Sequence, residues 1–261
     1  MSTYHSKKAK EFLKDPKKVE RHDRTFWSLR QKRDAAAAEL PEWEDLREHA
    51  SRIKEHTATH LADYLEQFSN SLERNGVIVH FAKDAQEFNE MVYGILESHK
   101  VKKLVKSKSM LTEECEMNPY LIKRGINVVE SDLGERILQL MHLKPAHIVM
   151  PAIHLTRDEI GEMFEEKGIS KEKGNHDPAY LTRCAREDLR GDFMDADAGL
   201  TGCNFGVAAT GDCVVCTNEG NADMSTSVPK LHIVAMGIEK VIPDYDSLAV
   251  FQRLLARSGT G

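Results

Sequence analysis

A chain of 261 residues with 41% hydrophobic, 30% charged and 7% aromatic residues can bury the core of one large or two modest domains. No apolar run approaches the roughly 20 residues a membrane-spanning helix needs, and the N-terminal MSTYHSKKAKEFLKD lacks the apolar stretch of a signal peptide, which predicts a cytoplasmic protein without a membrane span. Residues 1–60 hold 14 Lys/Arg against 11 Asp/Glu and the remainder 22 against 31, so the acidic body argues against nucleic-acid binding.

Residues 5 to about 40 are charge-dense, with an alanine run at 35–38, and read as an N-terminal helical extension (1–40). From Pro41 a second helical stretch carries Leu46, Ala50, Ile53, Thr57, Leu61, Tyr64, Leu65, Phe68 and Leu72 at three- and four-residue steps, one stripe to about residue 73. Asn75-Gly76 stops it.

The rhythm then changes. VIVHFA (77–82) reads as a strand, and Asp84 with Glu87 opens a helix to Ser98 as a capping box. KKLVKS (102–107) is a strand, followed by a helix from Thr112 to Arg124 that Gly125 ends. INVVE (126–130) and HIVMPA (147–152) read as strands, with helices over Asp132–His142 and, from the capping box Thr156–Glu159, to Lys167. Asp177-Pro178 starts a helix to about Asp195. FGVAA and CVVCT lie too close for a helical crossover, so they form an antiparallel hairpin turning at Gly211-Asp212. LHIVAM (231–236) is a strand, Asp246–Arg257 a terminal helix, and 258–261 a linker. Strands alternating with helices of 10–15 residues mean an α/β fold, three layers around a mainly parallel sheet with a late hairpin, over residues 41–257.

Five scattered cysteines, at 115, 184, 203, 213 and 216, read as free thiols of a reducing compartment. Cys213 and Cys216 have the spacing of a metal knuckle. On a strand, however, residues three apart face opposite sides, and no second such pair completes four ligands, so a metal is rejected. His56 and His60 share a helical face with His49 a further seven residues away, but Thr57 stands where a zincin carries glutamate; they read as surface histidines.

Lys106, Ser107, Lys108 and Ser109 follow a strand and lead into a helix, a junction suited to an anion or simply a solvated loop. His154 lies just past the HIVMPA strand, where α/β sheets place ligands or where a structural histidine bonds the backbone. Asn218, Glu219, Gly220 and Asn221 follow the hairpin and precede a Ser/Thr-rich loop. Glu219 there is a candidate nucleophile or base, and its neighbours are also turn formers.

KSKSMLTEE (106–114), INVVESDLGERILQL (126–140), PAHIVMPAIHLTRDEI (145–160) and the stretch from GLTGCNFGVAATGD to VPKLHIVAMGIEKVIP (199–243) together resemble the LUD domain family, specifically the N-terminal half of iron–sulfur proteins of bacterial L-lactate oxidation. The resemblance covers roughly residues 40–257. It implies a fold like that of the sugar-phosphate isomerase and CoA transferase superfamily, and a place among other lactate-utilization subunits that oxidise L-lactate to pyruvate with electron transfer. It also implies two 4Fe-4S clusters, bound in a ferredoxin-like region that this sequence does not contain, so no cofactor is expected in this chain. The candidate ligand contacts are then Lys106–Ser109, His154, the hairpin residues Asn204, Thr210 and Gly211, and Asn218–Asn221. A stand-alone ligand-binding enzyme or sensor of that superfamily and a non-catalytic docking module are the competing readings.

Overall fold

The computed structural model describes residues 3–147 and 150–259. In chain order the elements begin with five helices: α1 (Thr3–Phe12), α2 (Pro16–Ala38), α3 (Trp43–Thr59), α4 (Leu61–Arg74) and α5 (Ala85–Ser98). Then come β1 (Lys103–Ser107), α6 (Met110–Glu114), α7 (Met117–Ile122), β2 (Asn127–Glu130), α8 (Leu133–Met141), α9 (Arg157–Glu166) and α10 (Pro178–Met194). The last third holds β3 (Ala198–Gly202), β4 (Phe205–Val207), β5 (Asp212–Val214), α11 (Asn221–Ser227), β6 (Leu231–Ala235), β7 (Val241–Ile242) and α12 (Tyr245–Gly259). No helix among the described residues is long and apolar enough to cross a membrane.

The chain forms two compact units, one from the stretch up to Lys54 with that from Asp246 onward, the other Glu55–Tyr245. In the first, Asp15 caps α2 by accepting from the backbone of Lys17 and Lys18, and Pro16 occupies the first turn. Helix α2 buries none of its side chains. The His22 ring meets Phe12 edge-on and Phe26 at a tilt, and Arg253 pairs with Glu42.

The second unit is built on a four-stranded, all-parallel sheet ordered β2-β1-β3-β6. Alternation along the strands splits its core in two. Leu104, Val128, Ala198 and Leu200 pack one way, with Val92 and Leu96 of α5 and Met117 and Leu121 of α7. Val105 and Val129 pack the other way, against Leu189 and Phe193 of α10 and Met224 of α11. Helices on both faces make the three layers of an α/β fold, as the alternation of elements predicts. A second, mixed sheet, β5-β4-β7, includes the expected antiparallel hairpin.

Several elements differ from the sequence reading. VIVHFA (77–82) joins no sheet, because only Val79 finds a place in the core, beside Phe68, Leu72, Ala208 and Val241. The stripe of residues 46–72 is broken at His60 into α3 and α4. The single helix placed at Thr112–Arg124 is two short ones starting at Met110, separated where Glu116 takes a left-handed conformation (φ 51°). Of the HIVMPA strand, Ile148 and Val149 lie outside the described residues, His147 is in a bend, Met150 is in no regular element, and Pro151 and Ala152 begin a turn. The hairpin turn is longer than a Gly211-Asp212 pair. Asp212 pairs with Val207, so the connection is 208–211, with Gly211 (φ 78°) closing it.

Strands β3 and β7 and helix α11 have no counterpart in the sequence reading. Strand β3, AGLTG, is wholly buried at the centre of the sheet, yet its two glycines look like turn chemistry. They are there for close approach: a Cβ on Gly199 would sit 1.8 Å from the Ser225 carbonyl oxygen, and one on Gly202 2.1 Å from that of Lys108. Helix α11, read as a polar loop, is held down by that same contact.

Candidate functional site

Strand β2 lies on one side of β1 and β3 on the other. The chain leaves β1 through α6 and α7 on one face of the sheet, whereas α11, which follows β3 after the hairpin, covers the other. Such a reversal opens a crevice outside the carboxyl ends of the two strands, where ligands of open α/β sheets bind. The residues just past these ends are polar and converge.

Lys108 adopts a left-handed conformation (φ 53°) and sends its ammonium to Asp132, 3.0 Å away, the residue that also caps α8 through Gly134 N–H. Asn221, at the start of α11, donates to the Ser131 carbonyl at 3.3 Å and to Glu219 Oε2 at 3.1 Å. Partial burial and the charge of Asp132 raise the Glu219 pKa, against the pull of Lys108. Lys108, Asp132, Glu219 and Asn221 therefore line one polar mouth with a single positive charge. A deeper layer of hydroxyls lies beneath α11. Ser107 stands opposite Thr201 in register, Thr201 Oγ1 meets His232 Nε2 at 2.9 Å, and burial keeps that histidine's pKa low. Ser107 Oγ and Ser225 Oγ are buried with no hydrogen-bond partner among the described residues.

Lys106 points to the opposite face and is fully buried. Its ammonium donates to Glu113 at 2.5 Å and to Glu130 at 2.6 Å, and Glu130 is its register neighbour on β2. Burial opposes the lysine's charge, but the carboxylates of Glu130, Glu135 and Glu113 overcome it and raise the Lys106 pKa. Asn118 donates to the same Glu130 oxygen. The other oxygen, Glu130 Oε2, and Glu135 Oε2 are both buried without a donor among the described residues, a shortage that a proton on Glu135, facing Glu130, relieves. Burial first, and the Glu130 charge second, push the Glu135 pKa up to about 9.

Of the sequence candidates, Lys108, Glu219 and Asn221 meet in the mouth, with Asn218 and Gly220 in the same loop. Ser107 lies beneath. Ser109 is the buried cap of α6, accepting from Thr112 N–H. Lys106 is taken up by its carboxylates. Asn204 braces the hairpin, accepting from Cys216 N–H at 2.8 Å. Thr210 and Gly211 are at the hairpin tip, where Asn75 bonds the Thr210 carbonyl and Gly211 lies against Ser71 and Leu72 of α4. His154 sits in the turn 151–154, between Ala152 and Leu155, which pack with α8, α9 and α10.

The sequence reading passes over Ser131 and sees in Asp132 only the start of a helix. The signal was Glu130-Ser131-Asp132, three polar residues at the carboxyl end of an apolar parallel strand. The thiol neighbour of Cys213 is Cys203 and not Cys216: their interaction raises the pKa of Cys203 and lowers that of Cys213, and the Cys203 thiol donates to the Phe205 carbonyl at 3.1 Å. Among the described residues no group of three or more His, Cys, Asp or Glu could hold a metal ion. An iron–sulfur cluster needs four converging cysteine ligands, and no such group of cysteines occurs among the described residues. A surface hollow of about 800 Å³ runs along α4 beside Asp63, Glu66, Asn70 and Arg74 and shares no residue with the mouth.

Comparison with known proteins agrees with the sequence resemblance. The chain is 47% identical over 234 residues to "Lactate utilization protein B" of Bacillus pumilus (strain SAFR-032), covering 89% of this chain and 49% of that protein. Proteins with the same description in Shouchella clausii (strain KSM-K16) and Bacillus cereus (strain B4264) are 43% and 45% identical, over 89% and 87% of this chain and 49% and 47% of theirs. The chain thus spans about half the length of the curated relatives it matches. No solved structure matches it. The LUD domain matches residues 65–261, three quarters of the sequence, and the chain belongs to the LUD domain family.

Proposed function

We propose that this chain is the LUD domain of a bacterial lactate-utilization protein, and that the mouth above β1 and β3 is its small-molecule site. The supporting observation is the 43–47% identity to lactate utilization proteins over nearly nine tenths of the chain. The system it serves oxidises L-lactate to pyruvate in the cytoplasm, with partner subunits taking the electrons. Two 4Fe-4S clusters belong, in this reading, to the additional length of such proteins, and no step in this chain runs through them.

The geometry suits a small hydroxy- or keto-carboxylate. Lys108 is the one cation of the mouth among the described residues, and its ammonium can turn from Asp132 to a substrate carboxylate with a charge-assisted bond. Glu219, with its raised pKa, and Asn221 then face the neighbouring hydroxyl or carbonyl. The test is lactate-dependent reduction of an electron acceptor by the longer protein with its partner subunits. Lys108→Ala is expected to raise KM for lactate, and Glu219→Gln to lower turnover. An acceptor reduced at the same rate with and without lactate refutes the proposal.

A further inference from the structure

Residues 77–82 form an unusual surface. VIVHFA has the β-branched and aromatic residues of a strand, and it runs without helix, turn or bend and without a positive φ. Val79 anchors it to the core, while Val77, Ile78 and Phe81 are 45%, 80% and 58% exposed. Val77 N–H closes the end of α4 on the Leu72 carbonyl. Beyond that, no backbone N–H of residues 78–82 has a hydrogen-bond partner among the described residues, and no carbonyl of 77–82 accepts one. Natural proteins blunt such an edge with lysine, proline or a bulge. VIVHFA contains no proline, glycine, Asp, Glu, Lys or Arg.

We infer that residues 77–82 are the edge through which two copies of this chain associate, as antiparallel strands across a two-fold axis. A two-fold interface must be self-complementary, and this segment is. A strand paired antiparallel with its own copy supplies both the donors and the acceptors that it lacks. Centred on Val79, the pairing sets Val77 of each copy opposite Phe81 of the other, an aromatic against a β-branched residue. The uncharged segment brings no like charges together. At its ends Arg74 precedes it and Asp84 follows it, so the antiparallel arrangement places opposite charges near each other at both edges.

Sedimentation of the 261-residue chain over a micromolar to submillimolar series is expected to show a monomer–dimer equilibrium. Phe81→Lys, alone and with Ile78→Lys, is expected to weaken the dimer about tenfold or more. Both side chains are exposed in the single chain, so the melting temperature extrapolated to the monomer is expected to stay unchanged. Hydrogen exchange gives an independent readout: protection of amides 78–82 rises with protein concentration, and Phe81→Lys removes that rise. A chain that stays monomeric throughout overturns the inference. So does a dimer that survives both substitutions, or one in which amides 78–82 gain no protection.

Discussion

The sharpest stability prediction concerns Lys106. Its side chain has no solvent exposure, and that of its partner Glu130 only 4%. Replacing lysine with methionine keeps the length and removes the charge. Glu130 is then left buried without its cation, with Asn118 its one remaining donor among the described residues, while Glu113, 28% exposed, can turn to water. Removing one member of a buried pair costs about 3–5 kcal/mol. In a unit the size of Glu55–Tyr245, where 1 kcal/mol moves the melting temperature by about 2–4 °C, the fall is about 6–20 °C at neutral pH. The double variant Lys106→Met with Glu130→Gln removes both charges and should recover more than half of the loss, since a neutral replacement of a buried pair is often close to free. Thermal unfolding followed by circular dichroism measures all three proteins. A single variant that melts within about 3 °C of the parent, or a double variant no better than the single, refutes the view that this lysine neutralises a buried carboxylate cluster.

Other predictions follow from the same geometry. Glu135 is held protonated up to about pH 9 in the folded chain, against an ordinary carboxyl value of about 4.3 when unfolded. Between those values the folded state binds more protons, so this contribution to stability is present below the unfolded pKa and declines as pH rises through the folded one. Urea titrations from pH 6 to 10 are expected to show that decline with a slope of at most about 1.4 kcal/mol per unit, and Glu135→Gln to flatten it; an unchanged slope counts against the shared proton. Gly202→Ala meets the Lys108 carbonyl at 2.1 Å and is expected to cost about 1–3 kcal/mol or more, whereas Gly220→Ala, with nothing within 4 Å, stays within about 0.5 kcal/mol. Equal effects from the two would discredit the close approach of β3 to the loop after β1. In calorimetric titration with lactate or pyruvate, Lys108→Ala is expected to abolish binding while Thr210→Ala, at the hairpin tip, leaves it intact; the reverse order would move the site to the hairpin.

What was legible in the sequence is what local periodicity encodes. Helix α9 begins at the capping box that Thr156 and Glu159 announce, and α10 at Asp177-Pro178. Strands β1 and β2 and the hairpin follow from apolar runs between stop signals. What was not legible depends on a distant partner. Gly199 and Gly202 look like turn residues until Ser225 and Lys108 are seen against them, and VIVHFA looks like a strand until its neighbour is found missing. These exceptions are not scattered evenly. The glycine-rich β3, the left-handed Lys108, the buried Lys106–Glu130 pair and the short α11 all border the carboxyl ends of β1 and β3. Each departs from a local rule: glycine in a central strand weakens it, a positive φ strains lysine, and buried charge costs solvation. Selection for stability alone would place valine, glycine and leucine at such positions respectively. Left-handed residues also occur at Lys100, Glu116 and His142, but only at the mouth does one coincide with central-strand glycines and a buried ion pair, and a sequence that accepts these costs side by side has a use for that place. The same reasoning separates the mouth from the hollow along α4, whose wall is a regular helix.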